Sequence, residues 1–339
     1  MFTLVEDIIV TEKLTKVFNE TIKAVDHVDM QIRKGEIFGF LGPNGAGKTT
    51  TINCLTTLLK PTSGKAIVSG FDVVKNPDAV RQRIGIVFQD SVLEDRYTGY
   101  ENMILHARLW GVKKEVAEER IKELLELVRL TDRAKDLVRT YSGGMRRRLE
   151  IARGLVTRPE ILFLDEPTLG LDPTTRHHIW EYIKLINREQ GITVFLTTHY
   201  LDEAEHLCER LSIIDYGQIV TTGSPSELIN SLGGDVVEII GEGDVGLAVS
   251  TFKPESYVKN VIVRQDNGLE LTIEESEKSL PKIIRTLQET GYNALSISLK
   301  KPSLDDVFIA CTGRGLRDEE ASDFEGVKKH FVMKKLSRR

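Results

Sequence analysis

Continuous runs of apolar residues recur along the first two thirds of the 339-residue chain. Four of them are Ile37–Leu41, Ile84–Phe88, Ile161–Leu164 and Ile192–Leu196, and each is as long as a strand rather than a helix. A strand with one solvated face alternates apolar and polar residues, whereas a continuous run predicts a strand buried on both faces. Because helical segments separate these runs, the pattern predicts an α/β fold with a mostly parallel sheet.

Helical character dominates residues 91–157, which we interpret as a helical subdomain inserted into the sheet domain. In the segment KKEVAEERIKELLELVRL, apolar residues lie mostly three or four positions apart, as on one face of an amphipathic helix. The positions expected to be buried are Val116, Ile121, Leu124, Leu125 and Val128.

The segment Asn230–Gly234 ends a predicted helix with two glycines, which favours a domain boundary there. Beyond it the pattern predicts three strands, an amphipathic helix from about Leu280 and a fourth strand. The strands are Val236–Ile240, Val261–Arg264, Leu269–Ile273 and Ala294–Leu299. We therefore predict a first domain over residues 1–231, a small α+β domain over 232–315 and a charged tail over 316–339. The basic end of the tail favours a solvated segment, with weak attraction to an anionic membrane surface as the alternative.

Composition and charge exclude several classes of protein. The chain is 40% hydrophobic and 29% charged, as in ordinary globular proteins, and its net charge of −5 argues against a dedicated nucleic-acid binder. No apolar run approaches the roughly 18 residues of a membrane-spanning helix. Three scattered cysteines form neither a disulfide framework nor a zinc-ligand pattern. These features predict a soluble, cytoplasmic protein.

The run GPNGAGKT at residues 42–49 matches the P-loop pattern G-x-x-x-x-G-K-[ST], between an apolar strand and a helix start. Its glycines let backbone N–H groups point at phosphate oxygens, and the helix N-terminus adds a partial positive charge. Lys48 would reach the terminal phosphates and the Thr49 hydroxyl would bind Mg²⁺. A glycine-rich turn without a ligand does not require Lys and Thr directly after its last glycine, so the run predicts a nucleotide site.

Two acidic residues, Asp165 and Glu166, close the apolar run that begins at Ile161. Asp165 suits Mg²⁺ binding, and Glu166 is placed to orient and deprotonate an attacking water. An acidic pair at the end of a strand is a moderate signal by itself. Together with the P-loop upstream it indicates hydrolysis of a nucleoside triphosphate.

A further motif, YSGGM, occupies residues 141–145 directly before a helix-like run. Ser142 could simply cap that helix. Alternatively, its hydroxyl, the exposed N–H groups and the helix N-terminus form a second anion site. With this motif the sequence resembles the ATP-binding subunits of ABC transporters, whose signature motif is L-S-G-G-Q. Tyr141 and Met145 depart from that signature, whereas Ser142, Gly143 and Gly144 match it.

The resemblance, which spans about residues 5–231, assigns roles to four more residues. It implies that Gln89 senses nucleotide and metal, that Asp172 lies at a dimer seam and that His199 contacts the γ-phosphate. Phe18 matches an aromatic residue that stacks on adenine in the family, with a core phenylalanine as the alternative. Near the end of the chain, PSLDDVF at 302–308 is similar to the last segment of daunorubicin/doxorubicin-resistance exporter ATPases. This similarity implies a regulatory or dimer-supporting role for the second domain.

The expected cofactors are ATP and Mg²⁺, and the expected site residues fall into three overlapping groups. Glu166, His199 and Lys48 are the catalytic candidates. Thr49, Gln89 and Asp165 are the magnesium candidates. The nucleotide-binding candidates are Phe18, Gly42, Pro43, Asn44, Gly45, Ala46, Gly47, Lys48, Thr49, Thr50, Gln89, Ser142, Gly143, Gly144 and Asp172.

The resemblance also implies partners: a second copy of the chain, and separate transmembrane permease subunits that hold it at the cytoplasmic face of the cell membrane. The stretch Tyr97–Gly111 is the candidate permease contact, and internal packing of its Leu105, Leu109 and Trp110 is an equally weighted alternative. The acidic segment Asp202–Glu205 is interpreted as a solvated helix face.

The function expected is that of an ATPase subunit that energises an ABC exporter of drugs or antibiotics. The alternative is a soluble ABC ATPase acting on ribosomes or nucleic acid; no nucleic-acid partner is expected, given the net negative charge. A P-loop GTPase or small-molecule kinase does not explain the S-G-G motif and His199 together.

Overall fold

The computed structural model describes residues 6–264, 268–274 and 276–313. These residues form two compact units, which divide between Ser224 and Pro225. The tail predicted over residues 316–339 lies outside the described residues. Among the helices of the described part, none combines the length and the hydropathy needed to cross a bilayer.

The first unit alternates strands and helices along most of its length. Two 3₁₀ turns, Thr131–Arg133 and Val138–Thr140, lie before its fifth helix. In chain order, its elements are β1 (Asp7–Phe18), β2 (Ile22–Arg33), β3 (Ile37–Leu41), α1 (Lys48–Leu55), β4 (Ser63–Val68), β5 (Phe71–Asp72), α2 (Pro77–Arg81), β6 (Ile84–Val87), α3 (Gly99–Leu109), α4 (Lys114–Leu127), α5 (Gly143–Leu155), β7 (Ile161–Asp165), α6 (Pro173–Gln190), β8 (Thr193–Thr198), α7 (Leu201–Leu207), β9 (Arg210–Asp215) and β10 (Gln218–Gly223).

A six-stranded sheet in the order β10-β9-β3-β8-β7-β6 is the centre of this unit. Neighbouring strands from β9 to β6 are parallel, and β10 is an antiparallel edge strand. The four predicted apolar strands are β3, β6, β7 and β8, and every residue of β3, β7 and β8 is buried. Burial on both faces explains why these runs are continuous, and the predicted α/β fold is confirmed.

A second sheet, which the sequence pattern did not predict, contains β2-β1-β4-β5 in antiparallel order. The pairing of β1 with β2 shifts register between Thr11 and Leu14, and Lys13 there has a φ of 47°. Such bulges interrupt the two-residue alternation by which a half-buried strand is recognised. Ile9 and Val28 of this sheet share one hydrophobic core with α1 and the six-stranded sheet.

Helices α3, α4 and α5 pack against one another in the segment predicted to be helical. On α4 and just after it, Ile121, Leu124, Leu125 and Val128 are buried, as expected. The prediction for Val116 is wrong, because its side chain is exposed and Ala117 takes the buried position one residue later. Position 117 lies four residues before Ile121, so it continues the same helix face.

The second unit is a small α+β fold with the chain order β-α-β-β-α-β inside it. In chain order, its elements are α8 (Pro225–Asn230), β11 (Asp235–Glu242), α9 (Val245–Phe252), β12 (Val258–Val263), β13 (Leu269–Ile273), α10 (Ser276–Glu289), β14 (Asn293–Lys300) and α11 (Leu304–Thr312). Its sheet is antiparallel in the order β12-β13-β11-β14, an arrangement of the ferredoxin-like type. Helices α9 and α10 supply Phe252, Ile283 and Leu287 to its core.

The four strands and the helix expected in this region correspond to β11–β14 and α10. The boundary differs from the expected one. Helix α8, which the sequence assigned to the first domain, packs against α11 and belongs to the second unit. The unit therefore begins at Pro225 rather than at residue 232.

Candidate functional site

Four turns that carry expected site residues lie at one edge of the six-stranded sheet. The P-loop follows β3, Gln89 lies two residues after β6, Glu166 follows β7 and His199 follows β8. Because β3, β8, β7 and β6 are parallel neighbours, their carboxyl ends meet at the same edge. Open α/β sheets bind their ligands outside this edge.

The P-loop wraps closely around the start of α1. Gly47 has a φ of 104°, and a Cβ atom there would lie 2.2 Å from the carbonyl oxygen of Ala24, so only glycine fits. The next residue, Lys48, is buried, and its ammonium donates to the carbonyl oxygens of Gly42 and Pro43 at 2.7 and 3.0 Å. The ammonium and the helix N-terminus together make the loop electropositive.

A cleft of about 210 Å³ opens beside this loop. The expected residues Gln89 and Glu166 reach it from the ends of β6 and β7, whereas Ala24 was not predicted. Gly42, Pro43 and Ala46 belong to the same loop without lining the cleft. The lining residues are Ala24, Asn44, Gly45, Gly47, Lys48, Thr49, Thr50, Gln89 and Glu166.

The buried carboxylate of Asp165 lies next to the P-loop. Its Oδ1 accepts hydrogen bonds from the Thr49 hydroxyl at 3.3 Å and from the Thr197 hydroxyl at 2.5 Å. Carboxylate, hydroxyl and amide oxygens are the ligands that Mg²⁺ prefers. A carboxylate and a hydroxyl come together here, and the side chain of Gln89 in the cleft lining carries an amide oxygen.

Glu166 links the P-loop to the end of β8. One carboxylate oxygen, Oε1, lies 3.2 Å from Nζ of Lys48 and 3.2 Å from Nδ1 of His199. Burial by itself raises the pKa of this carboxyl, but the hydrogen bond with His199 and the charge of Lys48 outweigh it, so the pKa lies below its usual value. The side chain is therefore ionised at neutral pH, as a proton acceptor must be.

The signature motif and Asp172 lie together, apart from the cleft lining. Ser142 caps α5, since its hydroxyl accepts the Met145 N–H at 3.3 Å. Asp172 caps α6 by accepting the Thr175 N–H at 3.0 Å, and its hydrogen bonds with Thr175 lower the pKa of this carboxyl. A Cβ atom on Gly144 would lie 2.4 Å from Cγ2 of Thr175, so the first turns of α5 and α6 are in close contact. Among the described residues, neither 142–144 nor 172 lines the cleft.

Phe18 ends β1 with its side chain 36% exposed and the Lys16 ammonium 5.2 Å from its ring centroid. The alternative of a core phenylalanine is therefore wrong.

In the helical segment, Leu105 and Trp110 are each 41% exposed and Leu109 is 77% exposed. Internal packing of these three residues is thus wrong as well, and a role in partner contact stays a prediction.

In the sequence, Arg146–Arg148 can be interpreted either as surface charge or as positive charge near the nucleotide beside the signature motif, and nothing sets Arg147 apart from its two neighbours. Its buried guanidinium donates to the backbone carbonyls of Asp165, Glu166 and Pro167 and of Phe88. The one local signal is Glu150, three residues later on the same helix, which forms a buried ion pair with it at 3.1 Å.

The expectation that residues 202–205 form a solvated face is wrong for Glu203, which is completely buried. Its Oε1 accepts hydrogen bonds from the Thr168 hydroxyl at 2.8 Å and from the indole N–H of Trp180 at 2.9 Å. Burial raises the pKa of this carboxyl. Glu203 thus ties α7 to α6 and to the turn that follows Glu166.

We expect Glu203→Ala to lower the free energy of unfolding by about 3 kcal/mol, because two buried donors lose their acceptor. Glu203→Gln retains a carbonyl oxygen for both donors and should lower it by less than about 1 kcal/mol. Urea denaturation followed by tryptophan fluorescence measures both. Equal losses in the two variants would contradict the assigned hydrogen bonds.

Comparison with known proteins identifies the family. Residues 25–169 match the family described as ABC transporter, and residues 223–312 match the C-terminal domain of DrrA1-3-like ATP-binding proteins. The chain is 41% identical to the daunorubicin resistance ATP-binding protein DrrA3 of Streptomyces coeruleorubidus, over 88% of this chain and 94% of that protein. It is also 41% identical to the daunorubicin/doxorubicin resistance ATP-binding protein DrrA of Streptomyces peucetius, over 94% and 97% of the two chains. The chain is an ABC transporter ATP-binding subunit.

As an ABC ATPase, the protein binds and hydrolyses ATP. The first unit is similar to an ATP-binding cassette solved as a dimer in a post-hydrolysis state with ADP and phosphate. The TM-score is 0.57 at 29% identity, covering 64% of this chain and 98% of that one. The family and these relatives favour the exporter ATPase over a soluble ABC ATPase acting on ribosomes or nucleic acid.

Proposed function

We propose that this ABC ATPase energises the export of drug-like molecules through a separate membrane permease, by closing two of its copies around two ATP molecules. One observation carries the proposed chemistry: Lys48 and His199 each lie 3.2 Å from one carboxylate oxygen of Glu166, beside the P-loop. A phosphate-binding cation, a base and a second polar group thus meet at the edge of one cleft.

In the proposed reaction, the backbone N–H groups of residues 42–49 and the start of α1 bind the phosphates of ATP. Lys48 exchanges its contacts with Glu166 and the loop carbonyls for the terminal phosphates. Glu166 then accepts a proton from the water that attacks the γ-phosphorus, and the bond from this phosphorus to the bridging oxygen breaks, so that ADP and phosphate leave. His199 holds the Glu166 carboxylate and contacts the γ-phosphate. Phe18, with an accessible ring, stacks on the adenine.

The residues present fit a magnesium ion at this site. Thr49, Asp165 and Gln89 carry hydroxyl, carboxylate and amide oxygens, and the first two already share a hydrogen bond. When bound, Mg²⁺ neutralises charge on the β- and γ-phosphates. The hydrogen bond from Thr197 orients the Asp165 carboxylate for this role.

The second half of each site comes from the partner copy in this proposal. Ser142 and Gly143 are exposed and offer N–H groups at the start of α5, where a phosphate of the other subunit's ATP can be bound. Asp172 is at the same surface, next to Gly144 through Thr175. A twofold axis lets one homodimer form two such composite sites. The dimeric relative with ADP and phosphate supports this arrangement.

Mixing two inactive variants tests the composite site. Lys48→Ala and Ser142→Arg chains should each be inactive alone, but a mixed dimer retains one complete site. Since half of randomly formed dimers are mixed and each has one of two sites, we expect about a quarter of wild-type ATPase activity. The control mixture pairs Lys48→Ala with the Lys48→Ala/Ser142→Arg double variant and should stay inactive. No recovery in the first mixture would contradict the two-sided site.

The relatives are named for resistance to daunorubicin and doxorubicin, which supports a drug-like cargo. The exposed Leu109 and Trp110 support a permease contact at the cytoplasmic face. Co-purification of the tagged chain from a detergent extract of membranes tests this. The expected companion is an integral membrane protein, released by charged substitution of Leu109. Recovery with ribosomes or DNA in high salt, and not with membranes, would overturn the exporter proposal.

A further inference from the structure

The guanidinium of Arg147 connects helix α5 to the two strand ends that carry Glu166 and Gln89. Every one of its five N–H groups has an acceptor, and four of these acceptors are backbone carbonyls. The donor–acceptor pairs are Nε to Pro167 O (2.6 Å), Nη2 to Asp165 O (3.0 Å) and Glu166 O (2.9 Å), and Nη1 to Phe88 O (2.6 Å) and Glu150 Oε2 (3.1 Å).

Three consecutive carbonyls, from residues 165 to 167, converge on this one side chain. The chain turns sharply there, and Glu166 has a φ of 46°, in the left-handed region that residues with a Cβ seldom adopt. Such a backbone persists only where the surrounding structure holds it. The same turn aims the Glu166 carboxylate at Lys48 and His199.

We propose that Arg147 is a positioning residue for ATP hydrolysis: its guanidinium holds the 165–167 turn so that the carboxylate of Glu166 faces the nucleotide cleft. The proposal rests on the role of Glu166 as the base under the proposed function. Arg147 is not among the residues that line the cleft, so it acts on the reaction through the backbone it binds.

The other contacts of Arg147 connect the 165–167 turn to the end of β6 and to helix α5. Phe88 immediately precedes Gln89, and α5 is the helix whose first turn carries Ser142. A planar guanidinium fixes the direction of all its hydrogen bonds at once. A displacement of α5 would therefore move the backbone at Glu166 and the backbone next to Gln89 together, because one guanidinium binds both.

The test is Arg147→Gln in the full chain, assayed by steady-state ATP hydrolysis and by binding of a fluorescent ATP analogue. We expect kcat to fall about 100-fold, as for a slightly misplaced catalytic group, while KM and analogue binding change little. The variant leaves Glu150 buried without its cation. The double variant Arg147→Gln/Glu150→Gln removes both charges and should show the same loss of kcat.

Two single variants are matched controls. Glu150→Gln removes the negative charge beside Arg147 and leaves its four bonds to backbone carbonyls. Arg148→Gln removes the neighbouring arginine, which donates to Val128 O at 2.8 Å. Both should retain kcat. A wild-type kcat in Arg147→Gln, or an equal loss in Glu150→Gln, would overturn the proposal.

Combination with Glu166→Gln separates this proposal from the one on which it rests. If Arg147 acts through Glu166, adding Arg147→Gln to Glu166→Gln should lower the residual rate little further. A full additional 100-fold loss would show that Arg147 acts by another route. A wild-type rate for Glu166→Gln alone would instead defeat the role of Glu166 as base.

Discussion

Glu166→Gln should slow ATP hydrolysis by about 1,000-fold and leave ATP binding intact, because a general base contributes about 10²- to 10⁴-fold to a rate. Glutamine has nearly the same shape and keeps an oxygen for Lys48 and His199, so the cleft should retain its form. It cannot accept a proton from water at neutral pH. The wild-type carboxylate can, since the His199 hydrogen bond and the charge of Lys48 hold its pKa low despite burial.

Single-turnover hydrolysis and equilibrium binding of ATP separate these two effects. Glu160→Gln is the matched control, because this half-exposed carboxylate directly precedes the opposite end of β7 and pairs with Arg83 at the surface. With saturating ATP, light scattering should detect the Glu166→Gln chain as a dimer. A monomer under those conditions would count against the composite site, and an unchanged rate would rule out Glu166 as the base.

Lys48→Ala should abolish turnover and weaken ATP binding by about 30-fold, the effect of losing roughly 2 kcal/mol of charge-assisted hydrogen bonding. The ammonium is buried against the carbonyls of Gly42 and Pro43, and alanine leaves this position without a positive charge. The substitution also removes one of the groups that lower the pKa of Glu166.

Titration with a fluorescent ATP analogue and a phosphate-release assay measure the two losses in Lys48→Ala. Lys60→Ala provides the control, because Lys60 is exposed and lies beyond the end of α1. Thermal unfolding should show that both variants are folded. Hydrolysis that survives Lys48→Ala would contradict the assignment of residues 42–49 to phosphate binding.

Much of the sheet edge that carries the P-loop and Glu166 could be predicted from the sequence, because the patterns that indicate it lie within short segments. A continuous apolar run marks a strand buried on both faces, and β3 and β7 lie where such runs predict them. The P-loop is equally local: Gly47 must adopt a positive φ close to another backbone, and Lys48 follows it directly. The order of strand, loop and helix therefore predicts a phosphate site from local sequence alone.

Long-range contacts decided the rest. In the sequence Glu203 is one of several acids at an exposed helix start. Its Oε1 nevertheless accepts hydrogen bonds from Thr168 and Trp180, which are 35 and 23 residues away. Arg147 looks like its two neighbours until the carbonyls of β7 and Phe88 are brought to it from 18 to 59 residues away. A side chain's environment depends on segments that only folding brings together. Local pattern thus determined the parallel strands β3, β6, β7 and β8 and the P-loop, whereas tertiary packing determined which charged residues are buried and which segments they connect.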